Sequence, residues 1–294
     1  MTTMMFLISS TVIFAEEMTP LQLLEKYKAN RDLLKSHITK SEELTEERDS
    51  ENGDRPTWLR ELTEFSTDGK RVGSTIKMWH DLSGPDDKGS DKKLIIKNIV
   101  WDGETWYEFL PNNRWAFISK KEQNKNEFVS YGYMGSSLDG YFWGDFRRVE
   151  DILAQASNIN LRSQTEKVNG IDCYIIDADS TYGKYSLWID PQHGYNIAKA
   201  NVYKSGDDIL YGKPISQHKK PEIATVAPIV GKIPERITEF SFSIDKVEFQ
   251  KVGEGWVPVE AEYQFTEQRV DGQVVTEKKK INVFRLIPTL ILKQ

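Results

Sequence analysis

The sequence predicts an α+β fold: a strongly curved, mostly antiparallel sheet with an N-terminal and a central helix packed in its concave side. Three observations predict it. Segments rich in β-branched and aromatic residues, punctuated by Asp-Gly and Pro-containing turns, recur along most of the 294 residues. Only two stretches carry helix signals. A sheet of about a dozen strands must curl, close or be covered, and two helices cannot cover all of it.

The first helix signal is Thr19-Pro20 followed by LQLLEKYKANRDLLKSH, with Thr19 as N-cap and Pro20 at the first helical position. Leu21, Leu24, Tyr27 and Leu34 recur near helical spacing, opposite Glu25, Lys26, Lys28 and Asp32. Strands begin at Ile38 to Arg48. Thr57 to Thr67 and Lys70 to Leu82 read as a hairpin about Asp68-Gly69, and Leu94 to Trp101 and Thr105 to Leu110 flank Asp102-Gly103. Arg114 to Lys120 is one more strand. Residues 83–93 form a polar, turn-rich insertion.

Between Lys121 and Ser157 the pattern changes to an aromatic, glycine-rich stretch without clear period. A helix from Asp145 to Ala156 follows, with Phe146, Val149, Ile152 and Leu153 on one face. This region reads either as a lid over a cavity or as a loop whose aromatics fill one end of the core.

The stretch from Gly170 to Tyr203 organises the rest. Ile171 to Ala178, Lys184 to Ile189 and Ile197 to Tyr203 are strands joined by tight turns, an antiparallel meander. In the second turn, Asp190-Pro191-Gln192-His193-Gly194, Pro presets φ and Gly accepts a positive φ. Residues 205–234 are a second long insertion. Ile237 to Phe249 alternates Phe240, Phe242 and Ile244. Trp256 to Thr266 sets Val257, Val259, Ala261, Tyr263 and Phe265 against Glu260, Glu262 and Gln264. Asp271-Gly272 turns the chain into Gln273 to Leu286, and Ile287 to Leu292 is a further short apolar segment.

Residues 1–15 read as a signal peptide: Met4 to Phe14 is an apolar core, and Ala15 a small residue at a cleavage site. An ordinary apolar N-terminal element is the alternative. Residues 16–294 then form one domain, expected to be periplasmic and not membrane-spanning. The net charge of −6 gives no general attraction for nucleic acid, and Lys278-Lys279-Lys280 reads as a solvated strand end. Cys173, the single cysteine, lies in a strand pattern and reads as a small buried hydrophobe.

The residues Tyr185-Ser186-Leu187-Trp188-Ile189-Asp190-Pro191 with Gly194 following, preceded by Gly170, Tyr174, Ile175 and Ile176, resemble the strand and turn of the LolA-like lipoprotein-sorting and lipid-carrier family. The close match covers Val168 to Val202; the order of parts matches over most of the chain. The resemblance implies a half-barrel whose helices form a lid, and an apolar cavity that holds acyl chains. Burying hydrocarbon contributes about 0.8 kcal/mol per CH₂, so such a site requires no special polar residue. Candidate lining residues are Val259, Ala261, Tyr263 and Phe265, Phe240 and Phe242 beside them, and Tyr141, Phe142 and Trp143 in the lid.

No catalytic constellation stands out. Asp177 and Asp179 share a strand face beside a turn, and His37, His80, His193 and His218 are scattered outside any ligand spacing. His193 is expected to be solvent-exposed in its turn. The expected function is a non-enzymatic, exported carrier or sensor for lipid or acylated protein, without cofactor or metal. Its alternative is an envelope protein-interaction module whose core is filled by its own side chains, Trp58, Trp79, Trp101, Trp106 and Trp115 among them. A hydrolase is the remaining reading.

Overall fold

The computed structural model describes residues 18–33, 36–49, 56–68, 71–89, 94–102, 104–120, 140–145, 147–218 and 237–288. The predicted signal peptide, the tract at 121–139 and the second half of the 205–234 insertion lie outside the described residues.

Helix α1 runs over Pro20–Asp32 and opens with a reciprocal cap: Gln22 N–H donates to Thr19 Oγ1, and Thr19 N–H donates to the Gln22 side chain. Leu23, Leu24, Tyr27 and Asn30 form its buried stripe. Leu21, expected on that face, falls outside the stripe and is 48% exposed. The helix is also shorter than the sequence predicts, since strand β1 already starts at His37.

Six strands follow: β1 (His37–Asp49), β2 (Thr57–Thr67), β3 (Val72–Leu82), β4 (Leu94–Trp101), β5 (Thr105–Leu110) and β6 (Trp115–Lys120). The hairpins about Asp68 and Asp102 form as expected. Asp102 accepts from the N–H groups of Glu104 and Thr105, which hold its carboxyl below the usual range.

The central helix, α2, spans only Val149–Leu153. Upstream the chain turns at Gly144, whose φ is 81°, and stays extended at Arg148, so the helix predicted from Asp145 starts later. Val149, Ile152 and Leu153 are buried as the spacing predicts.

β7 (Asn158–Leu161) and β8 (Glu166–Val168) both pair with β9 (Ile171–Ser180), which leads into β10 (Gly183–Asp190) and β11 (Asn196–Ser205). The start of the 205–234 insertion is ordered rather than a plain loop. β12 (Ile209–Leu210) and β13 (Lys213–Pro214) make a small hairpin of their own. The long strands β14 (Ile237–Val252), β15 (Gly255–Arg269) and β16 (Val274–Pro288) follow.

All but β12 and β13 belong to one 14-stranded sheet, and every pairing in it is antiparallel. Its order is β6-β5-β4-β3-β2-β1-β16-β15-β14-β11-β10-β9-β7. The sheet therefore has two parts. An N-terminal wing, β1 to β6, joins a C-terminal half, β7 to β11 with β14 to β16. Among the described residues, the β1–β16 pairing is the hydrogen-bonded seam between them. The path is open, since β6 and β7 do not pair with each other.

The main core lies on one face of the C-terminal half, where α1, α2, β10, β11, β14 and β15 meet. Asn30 fixes α1 there: its amide donates to Trp256 O at 2.8 Å and accepts from Trp256 N–H at 3.0 Å. A Cβ on Gly194, at φ 71°, would come within 2.4 Å of Asn30 Oδ1, so the turn after β10 needs glycine on two counts. A second cluster, Val72, Ile76, Ile99 and Trp101 with Phe65, Met78 and Phe117, lies on the wing.

Candidate functional site

Cross-strand register places the predicted site residues. On the helix-side face, Phe242 stands opposite Phe265 and Ile244 opposite Tyr263. Ala261, Tyr263, Phe265, Phe240, Phe242 and Phe142 are all buried in the main core, with Trp143 packed against them. Their rings meet in two runs: Phe142 to Phe242 at 5.4 Å and Phe242 to Tyr263 at 6.2 Å, and Phe240 to Phe265 at 6.2 Å with Trp143 stacked on Phe265 at 5.0 Å. These side chains fill the space between sheet and helices with one another.

Two of the predicted residues stand apart from this cluster. Val259 is half-buried, next to the bulges that interrupt the β14–β15 register at Asp245 and Glu248. Tyr141 is half-buried under the Arg148 guanidinium, 5.1 Å from its ring centre. Of the tryptophans expected to fill the core, Trp101 is buried, and Trp58, Trp79 and Trp115 are half-buried.

Beneath the aromatic cluster sits a fully buried polar knot. Lys204 Nζ donates to Asp145 Oδ1 at 2.5 Å, to Tyr182 O at 2.7 Å and to Ile209 O at 3.1 Å, while Tyr185 Oη donates to Asp145 Oδ2 at 2.8 Å. Burial raises the Asp145 carboxyl against the pull of Lys204 and Tyr185. The knot ties the 140–145 segment and β12 to β10 and β11.

The same helix-side face changes character at the seam. The row Val202, Phe242, Phe265 continues across β16 and β1 as Glu277 and Glu47. The row Ile244, Tyr263 continues as Lys279 and Thr45, and the row Ala261, Ile281 as Glu43 and Glu61. Lys279 is therefore no solvated strand end. It pairs with Glu43 at 2.9 Å and Glu277 at 3.8 Å and lies 4.6 Å from the Trp143 ring centre. Its neighbours Lys278 and Lys280 point to the opposite face and are exposed. Burial pulls the Lys279 ammonium down, but Glu43 and Glu277 outweigh it and hold it above the ordinary range. Burial pushes Glu61, Glu267 and Glu277 up to about 7 each.

Past the seam the wing turns apolar again. On the helix-side face Met78 stands opposite Ile95 and Ser74 opposite Ile99, with Val72 opposite Trp101. One ion pair, Lys97 to Glu108 at 2.8 Å, is embedded in this wall, and burial lowers the Lys97 ammonium. The main packing of α1 and α2 is on β7, β9, β11 and β15, away from this wall. On the far face of the wing, Val100, Tyr107 and Ile118 form one cross-strand row, with Phe109 two residues from Tyr107; they are 47%, 41%, 65% and 46% exposed.

The remaining candidates for chemistry are engaged. Arg162 donates to both oxygens of Asp177 at 2.6 and 3.0 Å, holding its carboxyl below the usual range, and Ser186 Oγ donates to Asp177 Oδ1 at 2.6 Å. Asp179 is exposed. Burial pushes the Cys173 thiol up to about 12, far from thiolate chemistry. His193 is not a free turn residue: Nδ1 lies 2.6 Å from Asp190 Oδ2, and its ring stacks on Phe249 at 5.2 Å and meets Trp256 edge-on at 4.6 Å. Among the described residues no cluster of His, Cys, Asp and Glu has the geometry to hold a metal ion, and no helix is long and apolar enough to cross a membrane.

Neither a protein-family model nor a curated protein matches the chain. Among solved structures it is similar to lipovitellin, in a study of lipid–protein interactions in that protein, at 7% identity and TM-score 0.32. That likeness covers 88% of this chain and 26% of the other, so this chain spans about a quarter of the lipovitellin chain. It is also similar to MucB in complex with MucA(peri), at 10% identity and TM-score 0.24 over 88% of this chain and 92% of that one. A third likeness, to a chain from a study of asymmetric conductivity of engineered proteins, has 9% identity and TM-score 0.23 over 84% and 99%. At scores this low the likenesses carry no argument about function.

Proposed function

We propose that this is a non-enzymatic binding protein, exported to the cell envelope, that receives acyl chains of a lipid or acylated protein on the helix-side face of its wing. The observation that carries the proposal is the contrast along that face. In the C-terminal half the aromatic residues and helices fill the interior. On the wing, Val72, Ile76, Met78, Ile95, Ile99 and Trp101 form an apolar wall away from the main packing of α1 and α2 on β7, β9, β11 and β15. In this reading the sheet curls as a half-barrel, the filled half is scaffold and the wing is the wall of the cavity. Apolar area alone then supplies affinity, at about 25 cal/mol per Å².

The test is native mass spectrometry of the protein purified from a Gram-negative periplasm, followed by solvent extraction. Co-purifying lipid is expected, and Met78→Asp and Ile95→Asp, at half-buried wall positions, remove it with the far-UV spectrum unchanged. A bare polypeptide mass that does not shift on adding phospholipid or detergent overturns the reading.

A protein-interaction module is the second reading, favoured by the exposed row Val100, Tyr107 and Ile118 with Phe109 on the wing's far face. Cross-linking to an envelope protein that is lost in Tyr107→Ser/Ile118→Ser, with no lipid bound to the wild type, would select it.

A further inference from the structure

The seam is built from like charges. Glu43 on β1 stands opposite Glu61 on β2, and Glu47 on β1 stands opposite Glu277 on β16. Glu267 on β15 shares this face and is 5% exposed. Like charges directly opposite on adjacent strands repel, and burial strengthens the repulsion.

The cations present do not balance these carboxylates. Lys279 serves both Glu43 and Glu277. Arg269 faces Glu267 from the same strand and also donates to the Gln273 side chain. Lys97 pairs with Glu108 on β5 at 2.8 Å and also attracts Glu61. Asp49 accepts from the Gln273 amide at 2.6 Å, and Tyr263 stands opposite Lys279. Glu43, Glu47, Glu61, Glu267, Glu277 and Asp49 thus lie at or beside the β1–β16 pairing, against Lys279, Arg269 and Lys97, on the one pairing that joins the wing to the C-terminal half among the described residues.

We propose that the β1–β16 seam is a proton-controlled joint: protonation of Glu61, Glu267 and Glu277 closes it, and their ionisation loosens the wing from the C-terminal half. This goes beyond acyl binding and does not depend on it. Glu267 is buried and Glu61 and Glu277 are half-buried among apolar neighbours, which favours the neutral acid, consistent with their rise from 4.5 to about 7. Between those values the folded chain holds protons that the unfolded chain has released. Stability therefore falls as pH rises through that window, and the penalty is complete above about pH 7.

Hydrogen exchange of the intact chain, corrected for intrinsic rates, tests it. From about pH 5 to about pH 8, protection of β1 and β16 amides is expected to fall at least about tenfold more than that of β9 and β10 amides. In Glu61→Gln/Glu277→Gln, whose side chains keep their shape without charge, that differential falls to the part that Glu267 alone contributes, while protection at pH 5 stays at the wild-type level. Equal change in both regions of the wild type, or an unchanged differential in the Gln variant, overturns the proposal. If the double variant does not fold, carbon-13 titration of the glutamate carboxyls in the wild type decides: three carboxyls titrating near 7 support the joint, and all titrating near 4.5 overturn it.

Discussion

The C-terminal half and the wing are made of the same kind of antiparallel strand, yet they differ in what occupies their helix-side face. In the half that carries α1 and α2, aromatic rings meet one another and a buried Lys–Asp–Tyr knot anchors the covering segment. On the wing a smaller cluster of four buried apolar residues lies away from the main packing of α1 and α2. Its far face is apolar too, at Val100, Tyr107, Phe109 and Ile118. Packing, rather than strand pairing, therefore distinguishes the two regions.

Five substitutions test that division. The largest effect belongs to the knot. Lys204→Met leaves the Asp145 carboxylate buried without its cation and should destabilise by about 3–5 kcal/mol in urea unfolding. Phe265→Ala, in the middle of the ring cluster, should cost about 3–5 kcal/mol, where an exposed wing residue such as Ile118 changed to Ala should stay within about 0.5 kcal/mol. Equal losses at the two positions would erase the contrast. Asn30→Ala unpairs the Trp256 backbone and should cost about 1–3 kcal/mol, seen as early loss of helical signal from α1. Thr19→Ala removes only the cap, about 1 kcal/mol on the same measurement.

Much of the sheet was legible because alternation has a period of two. Ala261, Tyr263 and Phe265 do share the buried face, and the Asp-Gly and Pro-containing turns end strands where they should. Alternation could not tell a filled core from a cavity wall, since both are apolar. It also left Lys279 misread. Three successive lysines look like a solvated run, although the period already separates Lys279 from Lys278 and Lys280 and aligns it with Ile281. The pairing of β16 with β1, far away in sequence, supplies Glu43 and was not readable locally. His193 was missed for the same reason, because Phe249 and Trp256 reach it from β14 and β15. α2 ran short of its predicted start because a glycine turn comes first.

The β1–β16 pairing also fixes an order of assembly. His37 lies opposite Pro288, so the first strand of the sheet finds its second neighbour only when the last described one has been made. The hairpins of the wing can close early, each over a short loop, whereas the seam must close over nearly the whole chain. Until then the edge of β1 and the carboxylates facing it remain in water. A chain that emerges N-terminus first thus stays divided into two unjoined sheets until β16 has been made.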